Sequence, residues 1–299
     1  MNFIGLSAHE GCSIPRRIAF INEKGGSAKT TLVASVGAYL ALERGRKVLA
    51  IDVDPQGQLG KVFGIETRRT RRSAIELLVD AALGDPLDRP GPVEGEALDA
   101  SAELPGALPI VKTRIPGLHL IVANKSLALF PSWEGGDADP TARLDTALRR
   151  APELAGYDFV FFDAPPSFGP LTMNVLRAAE ELVVPVPLTY LALDGCAELT
   201  RSVQTLRLRY GHASLRVTMV VPTFYRRTRL AHEVLERLKV RFPKEIAHTV
   251  VGFHVKIDEA QSRGLSIFEY APGDRAARAM AALAEELELR GVPEGEVPA

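Results

Sequence analysis

The stretch from Ile18 to Arg44 constrains the fold most. An apolar run, Ile18 to Ile21, reads as a strand, and Leu32 to Arg44 carries the apolar spacing of a helix. Between them lies Asn22-Glu23-Lys24-Gly25-Gly26-Ser27-Ala28-Lys29-Thr30-Thr31. In a strand–loop–helix of this kind the loop amides and the helix N-terminus point at bound phosphate. Lys29 would reach the β- and γ-phosphates, and the Thr30 hydroxyl would ligate Mg²⁺. The segment departs from the general pattern G-x-x-x-x-G-K-[ST], because Glu23 and Ala28 stand where glycines are usual. It also carries a second lysine, Lys24, which an ordinary phosphate loop does not need. The competing reading is a glycine-bearing turn with two surface lysines.

Two further segments weigh against that alternative. Val48 to Ile51 is apolar and runs into Asp52-Val53-Asp54-Pro55-Gln56-Gly57. Carboxylates at i and i+2 on a strand point to one side, and ligands of open parallel sheets bind beyond the carboxyl ends of strands. Taken alone, an Asp-Pro-x-Gly turn closing a strand would explain this segment equally well. Phe159 to Phe162 is apolar without alternation, as a strand covered on both faces should be, and Asp163 ends it. That is the form of a Walker B element, whose Asp holds Mg²⁺. Three strand ends bearing Lys/Thr, Asp/Asp and Asp are hard to obtain by accident.

Lys24-Gly25-Gly26-x-x-Lys29-Thr30-Thr31, Asp52-x-Asp54-Pro55-Gln56-Gly57 and Asp163-x-Pro165-Pro166-Ser167 resemble the deviant Walker ATPases of the ParA/Soj partition type. The resemblance runs from about Arg16 to about Leu289. It includes Val184-Pro185-Val186, Tyr190-x-Ala192-Leu193-x-Gly195, Arg227-Thr228 and Val255-Lys256-Ile257-x-Glu259-Ala260. It implies ATP and Mg²⁺ as cofactors, with residues 24–31 forming the nucleotide loop. Thr30 and Asp163 would organise the metal, and Asp52 would bond a water on it. Asp54 would position or activate the attacking water. Lys24 would reach across an ATP-dependent sandwich homodimer to the partner's nucleotide, much as an arginine finger does. The resemblance further implies non-specific DNA binding by the ATP-bound dimer, with hydrolysis dissolving it. Arg227 and Lys256 match positions used for DNA contact, and charge alone adds Arg226 and Arg229. A ParB-like or cargo-adaptor protein is the expected partner. Ala28, where the family usually has glycine, bears on nucleotide affinity: if that position needs φ > 0, alanine costs about 1–2 kcal/mol.

The net charge of −1 by itself argues against a nucleic-acid binder, but its distribution does not. Arg201 to Lys244 holds 11 Lys/Arg against two acids, Glu233 and Glu236. Such a local excess is the footprint of a phosphate-backbone binder, unless acids from elsewhere balance it in space. The cluster Arg68, Arg69, Arg71 and Arg72 is a candidate partner-binding or second DNA surface, or simply a solvated run. Two cysteines, Cys12 and Cys196, exclude a disulfide framework and suggest a reducing compartment. No run reaches membrane-spanning length, and the first fifteen residues lack the apolar core of a signal peptide. The expectation is a cytoplasmic, nucleoid-associated protein without stable membrane attachment.

Alternating strands and helices predict one doubly wound, mainly parallel α/β domain over 16–290. Residues 1–15 read as an extension, 84–110 as a surface insertion rich in Gly, Pro and acids, and 291–299 as a flexible tail. Strands are predicted at 17–22, 47–52, 118–122, 158–163, 182–186 and 216–221. Helices are predicted at 29–44, 73–83, 141–150, 171–179, 195–209, 229–241 and 274–289. A membrane-cycling ATPase resembling MinD would need a basic, bulky apolar C-terminal helix, whereas 274–289 is Ala-rich and an acidic tail follows. An electron-transfer ATPase resembling the nitrogenase iron protein would need suitably placed cluster cysteines. A degenerate nucleotide-binding scaffold is the third alternative, opened by Ala28 and opposed by Asp54 and both lysines.

Overall fold

The computed structural model describes residues 14–67, 70, 72–79, 108–132, 139–189 and 192–290, with only the backbone of 131–132 and 192–199. Along the chain the elements are β1 (Arg16–Phe20), α1 (Lys29–Leu42), β2 (Val48–Asp52), α2 (Gln58–Val62), β3 (Val111–Lys112) and β4 (Leu118–Ile121). They continue with α3 (Arg143–Arg149), β5 (Phe159–Asp163), α4 (Pro170–Ala178), β6 (Glu181–Pro187), α5 (Ala192–Tyr210) and β7 (Arg216–Thr223). The last four are α6 (Arg229–Arg241), α7 (Val255–Ser262), α8 (Ile267–Tyr270) and α9 (Arg275–Leu289).

Among the described residues the strands form one seven-stranded sheet, ordered β3-β4-β2-β5-β1-β6-β7. All neighbours are parallel except the edge pair β3–β4. Alternate strand residues enter opposite layers, which is why the strands read as unbroken apolar runs. Ala19, Leu49, Ile51, Val160 and Phe162 pack with α3, α4, α5 and α6. Ile18, Phe20, Val48, Ala50 and Phe161 pack with α1, α2, α7, α8 and α9. Helix α1 is apolar all round because it lies between the sheet and α9, so both sides are buried.

Pro185 sits inside β6 although proline cannot donate to a ladder. The pairing of β6 with β1 stops at Phe20–Val183, and the Pro185 carbonyl is taken by Asn22 Nδ2 at 2.6 Å. The missing N–H therefore faces the side that β1 has already left. At the opposite end of the sheet, Arg16 donates twice to Glu181, at 2.9 Å each, and also to the carbonyls of Leu287 and Glu288. One guanidinium thus ties β1, β6 and α9 together.

The structure corrects several expected boundaries. Strand β1 ends at Phe20, and the predicted helix at 73–83 is a 3-10 turn, Ala74–Leu77, as far as its residues are described. Helix α5 starts at Ala192, three residues earlier than its periodicity suggests. Leu108 and Ile110, counted with the expected surface insertion, are buried in the core; residues 80–107 lie outside the described residues. So do Arg68, Arg69, Arg71, residues 1–13 and the tail 291–299. Short elements with little periodic signal, α2, β3, α7 and α8, were not anticipated. Two of them meet closely: a Cβ added at Gly264, after α7, would lie 2.6 Å from the Cα of Gly64, after α2.

Candidate nucleotide site and basic surface

The carboxyl ends of β1, β5 and β2 lie side by side, with Phe20 opposite Asp163 and Asp163 opposite Asp52. The phosphate loop therefore springs from the strand next to Asp163, and the two carboxylates occupy adjacent strands at one level. Gly26 has φ 66° and Ala28 has φ 77° and ψ 19°. The condition attached to Ala28 is thus met: this alanine is left-handed. It is pinned there, because its carbonyl accepts from Leu32 N at 2.9 Å, the first hydrogen bond of α1. The preceding carbonyl, of Ser27, accepts from Thr223 Oγ1 at 3.3 Å.

Asn22 organises the loop entrance. Its Oδ1 accepts from Lys24 N at 2.9 Å while its Nδ2 is anchored on Pro185. Lys29 Nζ donates to the carbonyls of Asn22, at 3.0 Å, and Lys24, at 3.3 Å. Burial lowers the Lys29 pKa, against the opposing pull of Asp163 and Asp54. Gly25 is exposed, and a Cβ there would meet nothing within 4 Å. Thr31 Oγ1 accepts from Gln261 Nε2 at 3.3 Å, joining α1 to α7.

Thr30 Oγ1 donates to Asp163 Oδ2 at 2.6 Å. The other oxygen, Oδ1, is buried with no hydrogen-bond partner. Burial pushes the Asp163 pKa up to about 7, against the lowering effect of Thr30 and Lys29. A hydroxyl and an unsatisfied carboxylate oxygen are hard oxygen donors of the kind Mg²⁺ prefers. Asp52 is fully buried, and its pKa is raised by that burial and by the neighbouring Asp163. Its two oxygens each accept a backbone N–H at 3.0 Å, from Asp54 and from Leu59. Asp52 therefore also fixes the turn into α2. Asp54 is partly exposed at that turn, with Oδ1 accepting from Gln56 N. The turn needs Gly57: its φ is 57°, and a Cβ would lie 2.6 Å from the Ala123 carbonyl oxygen.

The candidate DNA residues lie on two segments that touch. Tyr225 N donates to the Val251 carbonyl at 3.1 Å, and Arg226 lies over the Phe253 ring at 5.6 Å. Arg226, Arg227, Arg229 and Lys256 are all exposed. Some of their charge is balanced locally: Arg229 pairs with Glu233 at 2.9 Å and Lys256 with Glu259 at 2.7 Å. The Tyr270 hydroxyl donates to that same Glu259 oxygen at 2.9 Å. Asn22, Thr223, Gln261 and Tyr270 escaped the sequence reading. An Asn closing β1 beside Lys24 was the one available signal; the others depend on tertiary contact.

The family model described as an AAA domain matches residues 15–217. The chromosome-partitioning ATPase Soj of Thermus thermophilus is 36% identical over 276 residues, 92% of this chain and 96% of its own length. The sporulation initiation inhibitor protein Soj of Bacillus subtilis is 33% identical, over 92% of this chain and 98% of its own. Among solved structures, cobyrinic acid a,c-diamide synthase of Mycobacterium smegmatis, with bound ATP analogue and magnesium, is 28% identical with TM-score 0.71. That match covers 96% of this chain and 99% of the other. MinD of Pyrococcus horikoshii, at 19% identity and TM-score 0.65 over 95% of this chain and 100% of its own, shares the fold. With a family model covering most of its length and two such relatives, the chain belongs to the ParA/Soj family of chromosome-partitioning ATPases.

Proposed function

We propose that this ATPase positions chromosomal, plasmid or protein cargo through an ATP-bound homodimer that binds DNA non-specifically and releases it on hydrolysis. In this reading residues 24–31 hold the phosphates through loop amides and the Lys29 ammonium. Thr30 and Asp163 hold Mg²⁺, which neutralises phosphate charge when bound. Mg²⁺ keeps water and substrate phosphate among its ligands in sites of this kind, so two protein side chains would suffice to hold it. Asp54, partly exposed at the β2 exit, orients the attacking water, and Asp52 keeps that turn in place while bonding a metal-bound water. Lys24 acts on the nucleotide of a second copy, offsetting charge that develops during phosphoryl transfer.

The observation that carries the DNA half is that the segment bearing Arg226 and Arg227 touches the segment that leads into Lys256, through the Tyr225–Val251 bond and the Arg226–Phe253 contact, with all three basic residues exposed. Lysine at 256 acts as a point charge on phosphate where arginine would be bidentate. Helix α9 weighs against a membrane-cycling role, because its apolar residues Ala276, Met280, Leu283 and Leu287 are spent in the core. No helix among the described residues is long and apolar enough to cross a membrane. A ParB-like or cargo-adaptor protein would stimulate hydrolysis, and the nucleoid would be the place of action.

The test is DNA retention with ATP, ADP or no nucleotide across a salt series, with and without Lys24→Ala. Retention with ATP alone, weakened by salt and altered by Lys24→Ala, is the expected result. Absence of retention in every nucleotide state would overturn the DNA reading, and vesicle sedimentation would then test the membrane alternative.

A further inference from the structure

Each segment of the basic surface is fastened to the nucleotide loop by one side-chain hydrogen bond that the chemistry above does not use. Thr223 closes β7 just before the segment bearing Arg226 and Arg227. It is fully buried, and its Oγ1 donates to the Ser27 carbonyl at 3.3 Å. Gln261 lies on α7, the helix that carries Lys256, and its Nε2 donates to Thr31 Oγ1 at 3.3 Å. The loop is thus gripped on both sides, at its crest by β7 and at the start of α1 by α7.

We propose that Thr223 and Gln261 are positioning residues that couple nucleotide occupancy to DNA affinity within each protomer. The proposal rests on the DNA-binding reading above and specifies how ATP would govern that surface. A phosphate in the loop competes for the Lys29 ammonium, which donates to the Asn22 and Lys24 carbonyls, and draws the loop amides toward itself. Ala28 is locked in a left-handed conformation by its bond to α1. The part of the loop from Ser27 to Thr31, held by that bond and by Thr223 and Gln261, therefore passes its displacement on to its hydrogen-bonded neighbours. Both fastening bonds lie at the long end of the ordinary range, so a shift of a few tenths of an ångström tightens or breaks them. Beyond Thr223 the chain runs straight into the Tyr225–Val251 bond and the Arg226–Phe253 contact. Beyond Thr31, Gln261 sets the seating of α7, and with it the reach of Lys256.

The experiment measures DNA affinity with ATP, with ADP and without nucleotide, and ATP affinity with and without duplex DNA. It compares wild type with Thr223→Val, Gln261→Ala, the double variant and Thr223→Ser. Sedimentation reports the oligomeric state of each. Linkage requires DNA to tighten ATP binding by the same factor by which ATP tightens DNA binding, about 5–150-fold for typical coupling. The double variant should lower that factor by roughly 2–30-fold, while ATP affinity without DNA stays within about twofold. Thr223→Ser, which keeps the hydroxyl, should restore it. Gln261→Ala alters a partly exposed residue and keeps the test available if Thr223→Val does not fold. Wild-type coupling in the double variant would overturn the proposal. So would loss of coupling that merely follows loss of dimerisation or of ATP binding. Equal DNA affinity of the wild type in all nucleotide states would instead sink the underlying reading, and this inference with it.

Discussion

Replacing Ala28 with glycine should stabilise the protein without changing its affinity for ATP. Ala28 has φ 77° and ψ 19°, where a Cβ crowds the following carbonyl. Left-handed backbone costs an L-residue about 1–2 kcal/mol relative to glycine. Against this, glycine gains unfolded-state entropy worth about 0.4–1 kcal/mol. At the middle of each range the net expected stabilisation is about 0.8 kcal/mol, the difference of those two effects. For a domain of this size, 1 kcal/mol moves Tm by roughly 2–4 °C, so Ala28→Gly should melt about 2–3 °C higher. Affinity should hold because the conformation is imposed by the fold: the Ala28 carbonyl opens the α1 hydrogen-bond ladder and the Ser27 carbonyl is held by Thr223. The strain is then common to free and bound protein and cancels in binding. Scanning calorimetry with and without ATP–Mg²⁺, together with direct ATP titration, makes the comparison. A variant of unchanged or lower Tm that binds ATP tenfold more tightly would refute the reasoning, since the strain would then be incurred on binding and not on folding.

Arg227→Glu should abolish DNA retention while leaving ATP affinity intact, read by filter binding and nucleotide titration; retention that is unchanged and insensitive to salt would contradict the assignment. Gly57→Ala combines a left-handed φ with a Cβ 2.6 Å from the Ala123 carbonyl oxygen, and should cost about 2–5 kcal/mol in a denaturant melt, with loss of ATPase activity. Glu181→Gln should cost up to about 3 kcal/mol, because it leaves the Arg16 charge without its buried counter-ion. Burial alone would raise the Glu181 pKa, but Arg16, Thr218 and Arg216 hold it below the ordinary 4.5. Its contribution is therefore complete above about pH 4.5 and fades as the pH falls through the lowered value. Urea melts of wild type and variant should converge on acidification across that window, and a gap that widens there would reverse the sign.

The sequence was most legible where one physical requirement dominated. Phe159 to Phe162 had to be covered on both faces, and it is the central strand β5. Helix α6 lies within its predicted limits, 229–241, because Thr228 caps it and the apolar spacing is regular. The chemistry-bearing strand ends could be read because a phosphate loop and two terminal carboxylates leave few arrangements. Elements that depend on long-range contact were not legible. Helix α7 has weak periodicity, and its place is set by Ile257 and Ala260 in the core and by Gln261 on Thr31. The double duty of Asp52, whose bond to Leu59 N fixes α2, needed the register of β2 with β5 to be seen. The balancing of Lys256 by Glu259 was implicit in their spacing, but the added grip of Tyr270 from α8 was not.

The meeting of Gly64 with Gly264 has a consequence for how this protein tolerates change. A Cβ at 264 would lie only 2.6 Å from the Cα of Gly64, so position 264 cannot gain a side chain unless that backbone retreats. The reverse does not hold: a Cβ at 64 would meet Gly264 no closer than 3.6 Å, and its φ of 71° is what favours glycine there. The turn after α7 is thus bound by a neighbour far away in sequence, while the turn after α2 keeps some room to drift. A library randomised at both sites should return glycine at 264 and admit asparagine or aspartate beside glycine at 64.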